Sequence, residues 1–98
     1  MLIKNYTATG KKCRVTFHCP NLEQAGTAAL AGEFNGWSTT ATPMRLLKSG
    51  CFSVTVTLAT GKEYSFRYIL NRQTWINDPE ADKYVLNEFG EKNSVVVV

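Results

Sequence analysis

The chain has 98 residues, of which 44% are hydrophobic and 19% are charged, and its formal net charge is +3. This length suits one domain, whose core can fill the space between two packed sheets but not a barrel with an enclosed active site. The composition is that of an ordinary soluble globular domain.

The charge pattern and the first residues argue against nucleic-acid and membrane partners. The basic residues are scattered, and only Lys11, Lys12 and Arg14 cluster, whereas nucleic-acid-binding domains show a stronger local excess. No apolar stretch approaches the ~20 residues that span a bilayer. The N-terminus lacks signal-peptide architecture and the cysteines are odd in number, so we expect a cytoplasmic protein with reduced thiols.

Alternation of apolar and polar residues with period two dominates the chain. It is clearest in residues 13–19 and 52–58 and looser in 64–70, where it directs one set of side chains to a core and the other to solvent. The β-branched and aromatic content of these segments also favours strands. In chain order, the predicted strands cover residues 13–19, 28–31, 46–47, 52–58, 64–70, 74–76, 84–86 and 94–98.

Turn residues separate these strands. We predict hairpin loops at 48–50, 59–62 and 71–73, and at most one helical turn, over 21–27. The valine-rich segment 95–98 is expected to pair inside a sheet, because a free apolar edge strand invites aggregation. Together these elements predict an all-β, immunoglobulin-like sandwich of about seven short strands, formed by a single domain over residues 1–98.

The sequence offers no set of catalytic residues. His18 is the sole histidine and lies within a predicted strand, and no base and orienting group can be assigned to a nucleophile. Two carboxylates held ~5–9 Å apart could hydrolyse a glycosidic bond, but nothing singles out a pair. The spacing of Cys13 and Cys19 does not match a zinc site, and their alternation indicates small buried hydrophobic residues. We therefore expect no enzyme activity, no metal and no cofactor.

Both tryptophans lie in turn-rich segments. Trp37 follows a Gly-Glu-Phe-Asn-Gly stretch, and Trp75 lies between a predicted hairpin loop and an Asp-Pro pair. Each tryptophan alone could belong to the core of a sandwich or to its surface. A pair of exposed tryptophans would mark a binding surface. A flat indole ring suits the apolar face of a glucose ring, with polar side chains around it to bind the hydroxyl groups.

Three segments carry a family resemblance. They are G-E-F-N-G-W at 32–37, an aromatic–basic–aromatic strand at 64–68 followed by W-I-N-D-P at 75–79, and G-E-K-N-S-V at 90–95. In type, order and approximate spacing they resemble carbohydrate-binding module family 48. This family includes the glycogen-binding domains of AMP-activated protein kinase β subunits and of glycogen branching and debranching enzymes. Together the motifs cover about residues 28–98.

The resemblance implies an early-set immunoglobulin-like sandwich that binds an α-1,4-glucan, such as glycogen, starch or a malto-oligosaccharide, without catalysing a reaction. It implies that the glucan stacks on two tryptophans, Trp37 and Trp75. It implies hydrogen bonds to the sugar from Arg67, Asn93 and Glu91, and packing against it by the apolar loop residue Phe89.

The resemblance also assigns supporting roles. Residues 34–36 are implied to shape the turn before Trp37, and Asp78 and Pro79 to fix the loop beyond Trp75. The chain departs from the family pattern in two places. The turn at 71–74 is one residue longer than the usual tight turn, which could re-aim Trp75, and Glu91 replaces a small hydroxylic residue.

Two other hypotheses remain open. Many family members fused to enzymes of glycoside hydrolase family 13 lack the sugar-binding residues, so the chain could be a structural or protein-interaction module that partners a glycan-metabolising enzyme. Retention of both tryptophans, Arg67 and Asn93 favours sugar binding instead. A free-standing glycoside hydrolase is the least favoured, because the catalytic barrel is missing.

Overall fold

A computed structural model describes residues 2–21 and 24–98 of the chain. These residues form nine β-strands and one short 3-10 helix, Glu33–Asn35, between the third and fourth strands. The strands are β1 (Leu2–Tyr6), β2 (Lys12–Cys19), β3 (Ala28–Gly32), β4 (Arg45–Leu46), β5 (Phe52–Ala59), β6 (Glu63–Leu70), β7 (Thr74–Ile76), β8 (Lys83–Leu86) and β9 (Lys92–Val97).

The strands form two antiparallel sheets that pack face to face. The first sheet has the order β1-β2-β5-β4, and the second has the order β3-β6-β9-β8, with β7 also pairing with β6. Alternate residues of β2 and β6 fill the space between the sheets, where the Phe17 and Phe66 rings meet edge-on with centroids 5.0 Å apart. The predicted all-β, immunoglobulin-like sandwich is therefore confirmed.

All eight predicted strands are present, with bounds that differ by no more than two residues. The valine-rich strand β9 pairs with both β6 and β8, so it lies inside its sheet as expected. The described residues form nine strands instead of about seven, and β1 is the one strand that the eight predicted segments did not include. That strand lies at a sheet edge, with only Leu2 and Lys4 half-buried, so its sequence carries little alternation.

The described residues contain no α-helix, and hence no helix long and apolar enough to cross a membrane. The helical turn expected over 21–27 includes Leu22 and Glu23, which lie outside the described residues.

At one lateral edge of the sandwich the chain itself crosses between the sheets. The segment before β4 bonds to β3 of the second sheet, through Leu30 N–H to Thr42 O and Met44 N–H to Ala28 O, both 2.9 Å. The next residues form β4, which pairs with β5 of the first sheet. One short segment thus joins the two sheets at this edge.

At the opposite edge a side-chain contact joins the sheets. Lys4 of β1 places its Nζ 2.7 Å from Oδ2 of Asp82, which directly precedes β8. The same carboxylate oxygen accepts the Val97 N–H of β9 at 2.7 Å. Asp82 therefore links β1 of the first sheet to two strands of the second.

Candidate functional site

The second sheet contains a fork, which is the place along β6 where pairing with β9 stops and pairing with β7 begins. The β6–β9 ladder ends where Phe66 pairs with Ser94, and the β6–β7 ladder begins where Tyr68 pairs with Ile76. Arg67 therefore lies at the base of the fork. Its side chain is on the outer face of the sheet, because both of its neighbours on β6 point into the core.

A tight turn positions Trp37 beside this fork. The backbones of Gly36 and Trp37 both adopt the left-handed conformation, with φ of 66° and 59°. Glycine adopts it freely, whereas a tryptophan held there stores roughly 1–3 kcal/mol of strain, and such strained residues concentrate at binding and catalytic sites. The Trp37 N–H closes the turn by donating to Gly32 O at 2.8 Å.

The other residues of the 32–37 motif build this turn. Asn35 accepts the Gly32 N–H at 3.0 Å through Oδ1, and its Nδ2 donates to Leu30 O at 2.9 Å and to Thr42 Oγ1 at 3.0 Å. Phe34 packs its ring against the aromatic residues of the core. These side chains shape the turn as the resemblance implied.

Trp75 is on β7, directly after a three-residue hairpin loop, and is 40% exposed. Asn71 and Arg72 have positive φ of 50° and 62°, and Gln73 N–H donates to Leu70 O at 3.0 Å, which is the pattern of a type I′ turn. The longer turn anticipated from the sequence is present. It leaves the Trp75 side chain on the same depression as the fork.

Side chains hold the fork together where backbone pairing stops. Arg67 donates to Lys92 O from Nε at 3.2 Å and from Nη2 at 2.6 Å, and Asn77 Nδ2 donates to the same oxygen at 2.9 Å. Arg67 Nη2 also lies 3.0 Å from Glu91 Oε2. The sequence named Arg67 and Glu91 as separate sugar ligands, but the structure pairs them. Within the described residues Nη1 of Arg67 has no hydrogen-bond partner, so this nitrogen remains for a ligand.

A short loop over 87–91 joins β8 to β9 and presents Phe89. Asn87 Oδ1 accepts the N–H groups of Phe89 at 2.9 Å and Glu91 at 3.1 Å, and the Asn87 N–H donates to Glu91 O at 2.7 Å. These bonds fix the loop while leaving the Phe89 side chain 80% exposed. An apolar side chain this exposed, on a loop shaped by its own hydrogen bonds, is available for contact with a ligand.

These elements meet around one open depression of about 610 Å³. Its lining contains all six residues named from the sequence, together with Asn87 and Glu88. Sequence reasoning missed these two. An asparagine shortly before a glycine is a signal for a side-chain-capped turn and could have identified Asn87, whereas Glu88 carries no signal of its own.

The charges and groups of the lining suit a neutral polar ligand. One arginine faces two glutamates, and Arg67 is already paired with Glu91, so the depression carries no net positive charge for an anion. Among the described residues, the lining holds no histidine, cysteine, serine or threonine that could act as a nucleophile, and no three metal-binding side chains cluster anywhere. Aromatic faces beside amide and guanidinium donors can bind a polyhydroxylated ring that has an apolar C–H face.

A buried carboxylate anchors the chain just beyond Trp75. Asp78 is fully buried, accepts the Tyr68 hydroxyl at 2.7 Å and the Glu80 N–H at 2.8 Å, and donates its own N–H to Ser94 Oγ at 2.8 Å. Burial, and secondly the neighbouring carboxylate, raise the pKa of Tyr68, so its hydroxyl stays protonated and remains a donor. The loop after β7 is thereby tied to both β6 and β9.

Comparison with known families gives a match over most of the chain. The family model described as Carbohydrate-binding module 48 (Isoamylase N-terminal domain) matches residues 6–85. The matched range includes Trp37, Arg67 and Trp75 and ends before the loop that carries Phe89. A search of curated proteins finds no match to the chain.

Proposed function

Since the chain belongs to the carbohydrate-binding module 48 (isoamylase N-terminal domain) family, we propose that it binds a neutral α-1,4-glucan, such as glycogen, starch or a malto-oligosaccharide, in the depression at the fork. The observation that carries this proposal is that Trp37 and Trp75, which are 38 positions apart in the chain, border the same depression. No structural need of the core brings them there, because neither belongs to the set of residues that fill it.

Stacking supplies the apolar part of the proposed binding. Each indole face can cover the C–H face of one glucose unit, and two tryptophans carried by different elements can follow a glucan that curves. Phe89 adds a third apolar contact from the rim. Because the site is open to solvent and the sugar must be ordered on binding, we expect a dissociation constant between micromolar and millimolar, or ~4–8 kcal/mol.

Hydrogen bonds supply the polar part. Arg67 Nη1 and the Asn93 amide flank the base of the fork and can donate to sugar oxygens, while the carboxylates of Glu88 and Glu91 can accept from sugar hydroxyl groups. The absence of a net positive charge in this lining favours a neutral glucan over a sulfated or uronic-acid polysaccharide.

We infer that the protein acts as a binding module and not as an enzyme. Members of this family are typically non-catalytic, and one of the two lining glutamates, Glu91, is engaged by Arg67. We also propose a reducing compartment, the cytoplasm, as the site of action, because Cys13 and Cys19 are free thiols packed in the core between the sheets. Cell fractionation would test the location.

The test is a titration of intrinsic tryptophan fluorescence with maltoheptaose and β-cyclodextrin, with cellohexaose as the β-linked control. Saturable change with the α-linked sugars alone supports the proposal, and no change with any sugar at millimolar concentration contradicts it. The variants Trp37→Ala and Trp75→Ala should each lose binding. Calorimetry is the better measurement for them, because each variant lacks one of the two fluorophores. Tyr6→Ala, an exposed aromatic residue of the first sheet, is the matched control and should bind as wild type does.

A second candidate function is docking to a glycan-metabolising enzyme of the glycoside hydrolase family 13 type. It is favoured by β8, an edge strand whose residues are all exposed and include Val85 and Leu86. An exposed apolar edge can add a strand from a partner. In that case the protein would co-purify with such an enzyme, and Trp37→Ala would leave the complex intact.

A further inference from the structure

We propose that Asn87 sets the hydrogen-bonding polarity of the depression, by turning the Asn93 amide so that its NH2 group faces the ligand. The inference rests on the proposed glucan binding and assigns a positioning residue to that site. Asn87 lines the depression beside Asn93 but was not expected from the sequence. The role of Asn87 follows from which atoms of the two side-chain amides can donate a hydrogen bond and which can accept one.

The orientation of the Asn87 amide is fixed by the backbone. One end of this amide receives the N–H groups of Phe89 at 2.9 Å and Glu91 at 3.1 Å. A backbone N–H can only donate, so the atom that receives both bonds must be the amide oxygen. The Asn87 nitrogen is therefore at the other end, and the hydrogen bonds alone decide this assignment.

The orientation of the Asn93 amide follows from that of Asn87. Asn87 Nδ2 lies 3.3 Å from the nearer end of the Asn93 amide. Because an amide nitrogen is only a donor, that end of Asn93 must be its oxygen. The Asn93 NH2 group is left as the end available to a ligand.

The Asn93 NH2 group is accessible although the residue as a whole is only 9% exposed. No buried side-chain nitrogen or oxygen of the described residues lacks a hydrogen-bond partner. Asn93 Nδ2 has no partner among the described residues, so it must reach solvent, and the depression is the surface that Asn93 lines.

The consequence is a pair of adjacent donors at the base of the fork. Arg67 and Asn93 are the next residues beyond the last β6–β9 pair, Phe66 with Ser94, so they lie across from each other. Both offer N–H groups, from Arg67 Nη1 and Asn93 Nδ2. The sugar must therefore present two neighbouring oxygen atoms as acceptors at this point, which vicinal hydroxyl groups of a glucose unit can do.

The hydrogen bonds that shape the 87–91 loop do not depend on which way the Asn93 amide faces. The two bonds that shape the loop use Asn87 Oδ1, whereas the bond to Asn93 uses Nδ2. Asn87→Asp would keep an oxygen for both backbone N–H groups and replace the nitrogen by a second oxygen. That oxygen can only accept, so the Asn93 amide would rotate and present its own oxygen to the sugar.

The experiment compares wild type with Asn87→Asp by calorimetry with maltoheptaose and by nuclear magnetic resonance of the side-chain amides. We expect about tenfold weaker binding, which corresponds to the loss of one hydrogen bond to the ligand. We also expect slower solvent exchange of the Asn93 NH2 protons, since these would now donate to the carboxylate introduced at position 87. The thermal midpoint should stay close to that of wild type, because the loop bonds are kept.

Further variants keep the result interpretable. Asn87→Asp combined with Glu88→Gln restores the charge of the lining, and it should bind more weakly than Glu88→Gln alone if polarity is the cause. Asn93→Asp places an acceptor at the ligand directly and should lose about as much affinity as Asn87→Asp does.

The outcomes separate this inference from the function on which it rests. Failure of wild type to bind any α-glucan would overturn the proposed function, while the exchange of the Asn93 NH2 protons would still test the orientation. Wild-type affinity in Asn87→Asp, or unchanged exchange of those protons, would overturn the role of Asn87.

Discussion

Replacement of Gly32 by alanine should destabilise the protein by about 3 kcal/mol through crowding alone. The Gly32 backbone is extended, with φ of −169° and ψ of −178°, so any residue could adopt it. An added Cβ, however, would lie 2.7 Å from Ser65 O and 2.8 Å from two ring carbons of Phe34. Ordinary contact begins near 3.4 Å, so the neighbours would have to retreat by about 0.7 Å.

Neither neighbour can move easily. Ser65 is on the central strand β6, and its N–H is held by Glu33 Oε1 at 2.6 Å. Phe34 packs between Phe17 and Tyr64, with ring centroids 5.9 Å and 6.1 Å away. Overpacking of a well-filled core costs about 1–3 kcal/mol, and a clash with strand backbone belongs at the upper end of that range. At roughly 4–8 °C per kcal/mol, the thermal midpoint should fall by about 12–24 °C.

Urea denaturation followed by far-ultraviolet circular dichroism would measure the change. Gly26→Ala is the matched control, because its Cβ would meet only Asn71 Oδ1 at 3.7 Å and its φ is not positive. It should be neutral or stabilise the protein by up to about 1 kcal/mol. If Gly32→Ala unfolds within about 0.5 kcal/mol of wild type, the reasoning from crowding is refuted.

Two further predictions concern stability. Arg72→Gly should stabilise the protein by about 0.5–1 kcal/mol in urea denaturation, because glycine adopts the φ of 62° without strain. The affinity for maltoheptaose should stay unchanged, and a destabilised variant would refute this prediction. Burial, and secondly the carboxylate of Asp78, raise the pKa of Cys19 from 9.0 to about 12, and the same causes raise the pKa of Tyr68. The unfolded chain loses the Cys19 proton above pH 9 while the folded chain keeps it, so the free energy of unfolding should decline between about pH 9 and 12. Cys19→Ala should lessen this decline. An identical decline in that variant would contradict the assignment to Cys19.

The inner strands were predictable from the sequence, whereas the edge strand β1 was not. The strands β2, β5 and β6 each pack one face on the core, so burial imposes alternation on their residues. Strand β1 is held by its pairing with β2 and by Lys4, and neither interaction leaves a periodic pattern in five residues. Residues that are ordered by a partner distant in sequence are difficult to recognise from local pattern.

The aromatic part of the site was also predictable, whereas the ion pair and hydrogen bonds among its polar side chains were not. Trp37 and Trp75 stand out because they lie among turn residues. The pairing of Arg67 with Glu91, by contrast, depends on β6 changing partners halfway along its length, which is a property of the assembled sheet. The role proposed for Asn87 likewise depends on a side-chain contact across the β8–β9 hairpin.

The two lateral edges of the sandwich resist separation by different means. At the edge formed by β3 and β4, a continuous stretch of backbone crosses between the sheets, and its uncharged hydrogen bonds are insensitive to ionic strength. At the edge formed by β1 and β8, the tie is the Lys4–Asp82 ion pair, which dissolved salt weakens. The two edges therefore differ in their dependence on salt. Raising the ionic strength should weaken the contact between β1 and β8 and leave the backbone bonds at the β3–β4 edge unchanged.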